Sequence, residues 1–290
     1  MGGNSEFDRF LAEEVKKYKG VYVPERAGYL RRMLIKKTSP KNLHPNPGDE
    51  FTMPNIGPSY EIISGYARHY RELLNGHEKP PFDRDDPLMV EKIRPDGYML
   101  LNGHHRWAAA LRVGLSTVPI QIVDLTQEAD IRSMLSKAEH EKRVTLDLDE
   151  VVFCRKDSEF VEKGLSFPWN RVFKEHLKLG IPALFHYLNV NGYDIWVYSA
   201  QYYSFEYIRA FFRRYHLRVC GIVTGTQRKG RLYSKELEKQ ISSKYSSTVH
   251  IDGHSVIRSF RDRKDFDEQE LTCSPADWSE KVREVLTAWQ

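Results

Sequence analysis

Cysteine is scarce: three among 290 residues, Cys154, Cys220 and Cys273, too far apart in the chain to form a metal-type pair. A sparse, odd count argues against a disulfide scaffold and for a reducing compartment. Long apolar runs are missing as well. Nothing approaches the roughly 20 apolar residues of a membrane span, and no N-terminal stretch resembles a signal peptide. The chain therefore reads as soluble and cytoplasmic, with no membrane partner. A strong charge of one sign is also lacking: 44 Lys and Arg against 40 Asp and Glu leave +4. That balance suits phosphorylated ligands and permits nucleic acid without requiring it. What is present is core-forming material, 40% hydrophobic and 12% aromatic. The length exceeds that of a usual single domain, and the expected division is residues 1–140 and 141–290.

The second half is organised around Val144-Thr-Leu-Asp147-Leu-Asp149-Glu-Val-Val152. This short apolar run favours a strand, and its two carboxylates stand two positions apart. Alternate residues on a strand share a face, so at its C-terminal end both acids can point into one crevice. Open α/β sheets place ligand sites in such crevices, and two acids there suit a hard cation such as Mg²⁺. A strand ending in a solvated acidic turn is the plainer alternative. Downstream, strands alternate with helices: helix 181–192, strand 193–198 delivering Ser199, helix 204–215, strand 219–224, helix 234–244, and strand 248–251 delivering Asp252. This alternation predicts an α/β fold with a doubly wound parallel sheet. Residues 153–180 are expected to form a small cap or flap, and 276–289 a helix docking on the sheet.

In the first half, residues 7–19 predict a helix, and 38–58, rich in proline and asparagine, an extended or turning lead-in. Residues 60–75 return to helical spacing, with Ile62, Ile63, Tyr66, Tyr70, Leu73 and Leu74 as one apolar face. Leu88–Ile93 and Tyr98–Leu101, separated by Pro95-Asp-Gly97, predict a hairpin. Asn102-Gly103-His104-His105-Arg106 follows and opens a helix to Val113, and residues 117–123 form another strand. Strand, glycine turn and helix start together favour an anion, through unpaired backbone N–H groups and the helix dipole. The histidines and arginine add donors suited to phosphate; capping of a helix without a ligand is the alternative. Residues 126–142 read as a solvated helix bridging the two halves.

Residues 36–125 resemble the ParB/sulfiredoxin superfamily, through the Asn42-Leu-His-Pro-Asn-Pro lead-in, the Asn102–Arg106 turn and the Gly114-Leu-Ser-Thr-Val-Pro exit. The resemblance implies a small α+β domain that binds nucleotide phosphates (ATP, ADP, CTP or a related ligand) at Asn102, Gly103, His104, His105 and Arg106. His104 stands where sulfiredoxins carry their cysteine, so their reductive chemistry is not expected. Some relatives are free-serine kinases with a glutamate base after the lead-in, a neighbourhood that here holds Asp49 and Glu50.

Residues 143–285 resemble haloacid dehalogenase (HAD)-like phosphohydrolases, through Asp147-Leu-Asp149-Glu-Val, Val197-Tyr-Ser199-Ala, a lysine, and Ile251-Asp252-Gly253. The resemblance implies a Rossmann-like domain and a Mg²⁺-dependent phosphatase or phosphotransferase. Asp147 would be the nucleophile, Asp149 the general acid and base, and Ser199 a donor to phosphate. Lys229 is preferred over Lys235 as the phosphate-neutralising lysine, with a basic surface patch as the other reading of Arg228–Arg231. Asp147, the backbone carbonyl of Asp149, and Asp252 would hold the metal, with no second acid following Asp252. The expected substrate is a nucleotide or phosphorylated small metabolite. A second reading makes the N-terminal domain a free-serine-type kinase. A third makes the chain a module that binds or processes nucleic-acid ends.

Overall fold

The computed structural model describes residues 4–18, 23–28, 32, 36–75, 87–226 and 234–290. The chain divides into two compact units between Asp124 and Leu125. Among the described residues, no helix is long and apolar enough to cross a membrane.

The first unit is a mixed sheet carrying helices. Its elements are α1 (Asn4–Tyr18), β1 (Val23–Pro24), β2 (Lys36–Thr38), β3 (Leu43–Pro45), α2 (Tyr60–Leu74), β4 (Leu88–Arg94), β5 (Tyr98–Asn102), α3 (His104–Val113) and β6 (Val118–Ile122). The expected hairpin is present, with β4 antiparallel to β5. Around it β6 runs parallel to β4 and β3 parallel to β5, giving the order β2-β6-β4-β5-β3. The helix α3 is anchored by Trp107, buried in the core, whose indole N–H donates to the Pro40 carbonyl at 2.8 Å. In α2 the buried positions are Ile63, Ala67 and Tyr70, spaced i, i+4, i+7. Ile62, Tyr66 and Leu74 of the expected apolar face are exposed instead. Only the stripe turned to the core is covered, and the sequence carries more apolar residues than that stripe holds.

The second unit opens with α4 (Glu128–Ser136). The expectation of a solvated bridge with a join near residue 140 gives way here, because Ile131 and Met134 of α4 belong to the second unit's core. The preceding residue Thr126 clamps onto a strand end: its hydroxyl donates to Ile222 O at 3.0 Å and accepts from Thr224 N at 3.0 Å. Then come β7 (Lys142–Asp147), a π-helical turn over Leu148–Val152, β8 (Phe153–Cys154), α5 (Trp169–Val172), β9 (His176–Leu177), α6 (Ile181–Val190) and β10 (Tyr193–Ser199). The unit ends with α7 (Phe205–Arg214), β11 (Gly221–Thr224), α8 (Lys235–Lys244), β12 (Ser247–Ile251), β13 (Ser255–Phe260), β14 (Phe266–Glu270) and α9 (Trp278–Ala288). The ribbon β8–β9 and α5 occupy the stretch expected as a cap or flap.

The sheet order is β11-β10-β7-β12-β13-β14. The first four strands are parallel, as expected; β10 and β11 are buried nearly throughout, and β7 and β12 about half. The last two are antiparallel, so the sheet is mixed rather than wholly parallel. The reason is loop length. Only Asp252, Gly253 and His254 separate β12 from β13, whereas a parallel crossover needs a dozen residues or more. At the opposite end of the strands, Trp196 is fully buried and its indole N–H donates to Tyr245 Oη at 2.9 Å. The Tyr245 hydroxyl in turn donates to Asp194, a fully buried carboxylate that also pairs with His140 Nδ1 at 2.9 Å.

Gly221 is the β11 partner of Trp196. A Cβ at residue 221 would lie 2.0 Å from the indole Cδ2, with no room for the ring to retreat within a close-packed core. Gly221→Ala should therefore lower stability by about 2–3 kcal/mol, measured as a reduced urea midpoint with an unchanged slope.

Candidate functional site

In the first unit, β5 ends at Asn102, the chain turns at Gly103 and α3 begins at His104. Gly103 has φ +92°, and a Cβ there would meet Leu88 Cδ2 at 2.4 Å, so the turn requires glycine on both counts. The first backbone bond of the helix is Trp107 N to Gly103 O at 2.9 Å. The N–H groups before it point out of the helix end, the usual geometry for an anion. The Arg106 guanidinium lies close over Gly103, and Asn102 is exposed.

The two histidines play another part than the one expected. His104 Nε2 accepts the Asn46 N–H at 3.3 Å, and His105 Nε2 accepts the Ser59 N–H at 3.2 Å. Each ring is thus a neutral acceptor holding the proline-rich lead-in onto the start of α3. Phe51 stacks on His104 with centroids 5.4 Å apart and meets His105 edge-on at 5.0 Å. His104 is buried, and burial pushes its pKa down to about 4, against a partial lift from Asp49. Burial lowers His105 too. Asp49 caps the short 3-10 turn Glu50–Thr52 by accepting the Phe51 N–H, and its Oδ1 sits 3.6 Å from His104 Nδ1. Of the two acids noted near the lead-in, Asp49 lies beside His104 at the turn. Asn102, Gly103 and Arg106 keep positions suited to phosphate, whereas His104 faces the protein interior.

In the second unit, the parallel register sets Asp147 of β7 beside Tyr198 of β10, and Leu146 beside Ile251 of β12. Asp147, Ser199 and Asp252 therefore reach the same edge of the sheet. Asp147 Oδ1 accepts the N–H groups of Asp149 and Glu150 at 2.7 and 2.8 Å, which caps the π-helical turn. This turn swings Asp149 back over the sheet. Its carboxylate receives the Ser199 hydroxyl, with Oγ 2.9 Å from each oxygen, and the Ala200 N–H at 2.9 Å. Burial raises the Asp149 pKa; the Ser199 and Ala200 hydrogen bonds oppose this and the neighbouring Asp147 charge reinforces it. The two acids thus sit in unlike environments, one on exposed backbone donors and one half-buried.

Three expectations change at this edge. Ser199 is fully buried and donates to Asp149, so it positions that carboxylate rather than facing phosphate. Asp252 folds onto its own turn: Oδ1 accepts from His254 N and Ser255 N at 2.6 Å each, and Oδ2 from Ser255 Oγ at 2.9 Å. Burial opposes it, but those hydrogen bonds hold the Asp252 carboxyl below its usual range. With Asp252 turned to its own loop, the expected metal set of Asp147, the Asp149 carbonyl and Asp252 loses its third member for Mg²⁺. Among the described residues, no group of three His, Cys, Asp or Glu side chains gathers as a metal site. Lys229 lies outside the described residues, and Lys235 is exposed at the start of α8.

The family model of the ParB N-terminal domain matches residues 70–138, which include the Asn102–Arg106 turn. No curated protein matches the chain. Among solved structures, the chromosome-partitioning protein ParB from Caulobacter crescentus, C-terminally truncated and complexed with CTP-γ-S, is similar at 25% identity and a TM-score of 0.24. That match covers 37% of this chain and 56% of the other. The same protein complexed to the centromeric parS site gives 23% identity and a TM-score of 0.22, covering 35% and 46%. The chain thus spans about half the length of these structures.

The state of His104 sets a pH dependence. Above about pH 6.5 the imidazole is neutral whether the chain is folded or not, and its full contribution is present. As pH falls toward 4, the unfolded chain takes up a proton that the folded one refuses, so stability is lost. Up to about 3 kcal/mol should disappear across this window. Urea unfolding between pH 7.5 and 4.5 should show the loss, and His104→Gln should flatten it.

Proposed function

We propose that the second unit is a phosphohydrolase of the haloacid dehalogenase type, acting on a nucleotide or a phosphorylated small metabolite. The observation that carries this reading is the division of labour between Asp147 and Asp149. Two carboxylates two residues apart occupy different environments, Asp147 on two backbone N–H groups and Asp149 half-buried against Ser199 and Ala200, an arrangement that suits a nucleophile paired with an acid. Asp147 keeps Oδ2 for attack while its Oδ1 is fixed by two backbone N–H groups. Burial raises the Asp149 pKa, the direction a general acid needs.

In the first displacement, Asp147 Oδ2 forms a bond to phosphorus and the ester oxygen leaves. That oxygen takes its proton from Asp149, and an aspartyl phosphate remains. In the second, Asp149, now a carboxylate, takes a proton from water while the water oxygen bonds to phosphorus. The aspartyl bond breaks, releasing phosphate and restoring both acids. Ser199 and the Ala200 N–H steer Asp149 through both steps.

For the first unit we propose nucleotide binding through its phosphates, on the Gly103 turn with Asn102 and Arg106. The ParB N-terminal match and the outward N–H groups of α3 support this reading. A kinase role for this unit is favoured by one observation, the placement of Asp49 beside the turn.

Phosphate release from a panel of nucleotides and sugar phosphates, with and without Mg²⁺, tests the main reading. Asp147→Asn should lower kcat at least about 10³-fold. Asp149→Asn should lower it and remove the alkaline limb of the pH–rate profile, where the acid form is lost. Release that survives Asp147→Asn would overturn the proposal, and survival only until Asp49→Asn would move the chemistry to the first unit.

A further inference from the structure

At the C-terminal end of α7, away from every residue assigned above, the second unit has a cleft of about 550 Å³ lined by Ala210, Arg213, Arg214, His216, Leu217 and Arg218. Its floor is apolar and its rim is cationic. That volume falls within the range of small-ligand pockets.

Basic residues in the last turn of a helix complement its dipole. This accounts for Arg213 and Arg214 in part, but not for what surrounds them. The Arg214 guanidinium lies over the Trp169 ring, 3.4 Å from its centroid. Stacking fixes the plane of the fork and leaves its edge donors outward, the arrangement that suits phosphate oxygens. Arg218 pairs with Glu139 at 2.7 Å, half exposed. Neither Arg213 nor Arg214 has a carboxylate partner among the described residues.

His216 is the second observation. It follows the C-cap Tyr215 and has φ +56°, the one non-glycine residue with positive φ among those described. Its N–H bonds to Arg213 O at 3.2 Å, and the Leu217 N–H to Phe212 O at 3.0 Å. This is the helix ending in which glycine is the favoured residue, because a Cβ in the left-handed region is strained. The His216 imidazole is thereby placed on the rim of the arginine cleft.

We propose that this cleft binds the phosphate of a nucleotide unit, with Arg213, Arg214 and His216 as its contacts and Arg218 joining when it leaves Glu139. The chemistry is the same for a free nucleotide and for one link of a nucleic-acid strand. The stacked guanidinium contacts phosphate oxygens, and the apolar floor of Ala210 and Leu217 takes the sugar or base edge. This site stands independently of the hydrolytic reading, since none of its residues lies at the Asp147 edge.

The test uses the full chain. Anisotropy of a labelled single-stranded DNA and a labelled RNA 12-mer, and calorimetry with ATP and CTP, are compared for wild type, the double substitution Arg213→Ala/Arg214→Ala, and His216→Gly. The double substitution removes exposed side chains only. It should weaken binding at least about tenfold, and for a strand should reduce the salt slope by about 2. His216→Gly should raise the melting temperature while weakening binding, a pairing that a purely structural histidine would not give. Sensitivity of the oligonucleotide alone assigns the strand as ligand, and sensitivity of ATP or CTP alone assigns the free nucleotide. Equal binding by all three proteins, or none by the wild type, overturns the site.

Discussion

Parallel register around β7 is the constraint on which the second unit depends. β7 lies between β10 and β12, with Asp147 level with Tyr198 and Leu146 level with Ile251. A slip by one residue would turn Val144 and Leu146 out of the core and carry Asp147 away from Ser199. Register is held by the fully buried side chains Val144, Leu146, Ile195, Val197, Val249 and Ile251. At the far end of the strands it is held by the Trp196–Tyr245–Asp194–His140 chain of hydrogen bonds. One end of the sheet is thus rigid and satisfied within the protein. The other carries the acids.

Much of this was legible in the sequence where one short stretch carried its own signal. The hairpin of β4 and β5, the glycine turn at residue 103, and the strands delivering Asp147 and Ser199 all stand where periodicity and turn residues put them. What was not legible depended on partners distant in sequence. The helix α4 shows only a thin apolar face, and its burial rests on β11, some ninety residues on. The strand β14, Phe266-Asp-Glu-Gln-Glu270, has little of the composition that favours strands and is held by pairing with β13. His104 and His105 read as phosphate donors because residue type alone cannot say which nitrogen meets a backbone N–H. Asp252 read as a metal ligand because the sequence does not reveal that its own turn supplies three donors.

The two units use glycine-dependent turns differently. At Gly103 the backbone turns tightly so that a helix end opens to the outside, and the neighbouring histidines are used as internal acceptors to brace the lead-in. At His216 the same left-handed geometry closes a helix with a bulky polar side chain. In the first case the local preference and the structure agree. In the second they conflict, and such conflicts concentrate where a side chain has a role beyond folding.

The edges of the second unit's sheet are finished in opposite ways. On β11 the outer hydrogen-bonding groups are met by Thr126, so that edge offers no template to another chain. On β14 the outer side has no described strand beyond it, but Asp267, Glu268 and Glu270 are spread along it and the strand is mostly exposed. A second copy pairing antiparallel with that edge about its middle would bring the two Glu268 side chains face to face. The acidic strand therefore acts as a guard against sheet-to-sheet polymerisation, most effective at low ionic strength and weakened where those carboxylates take up protons.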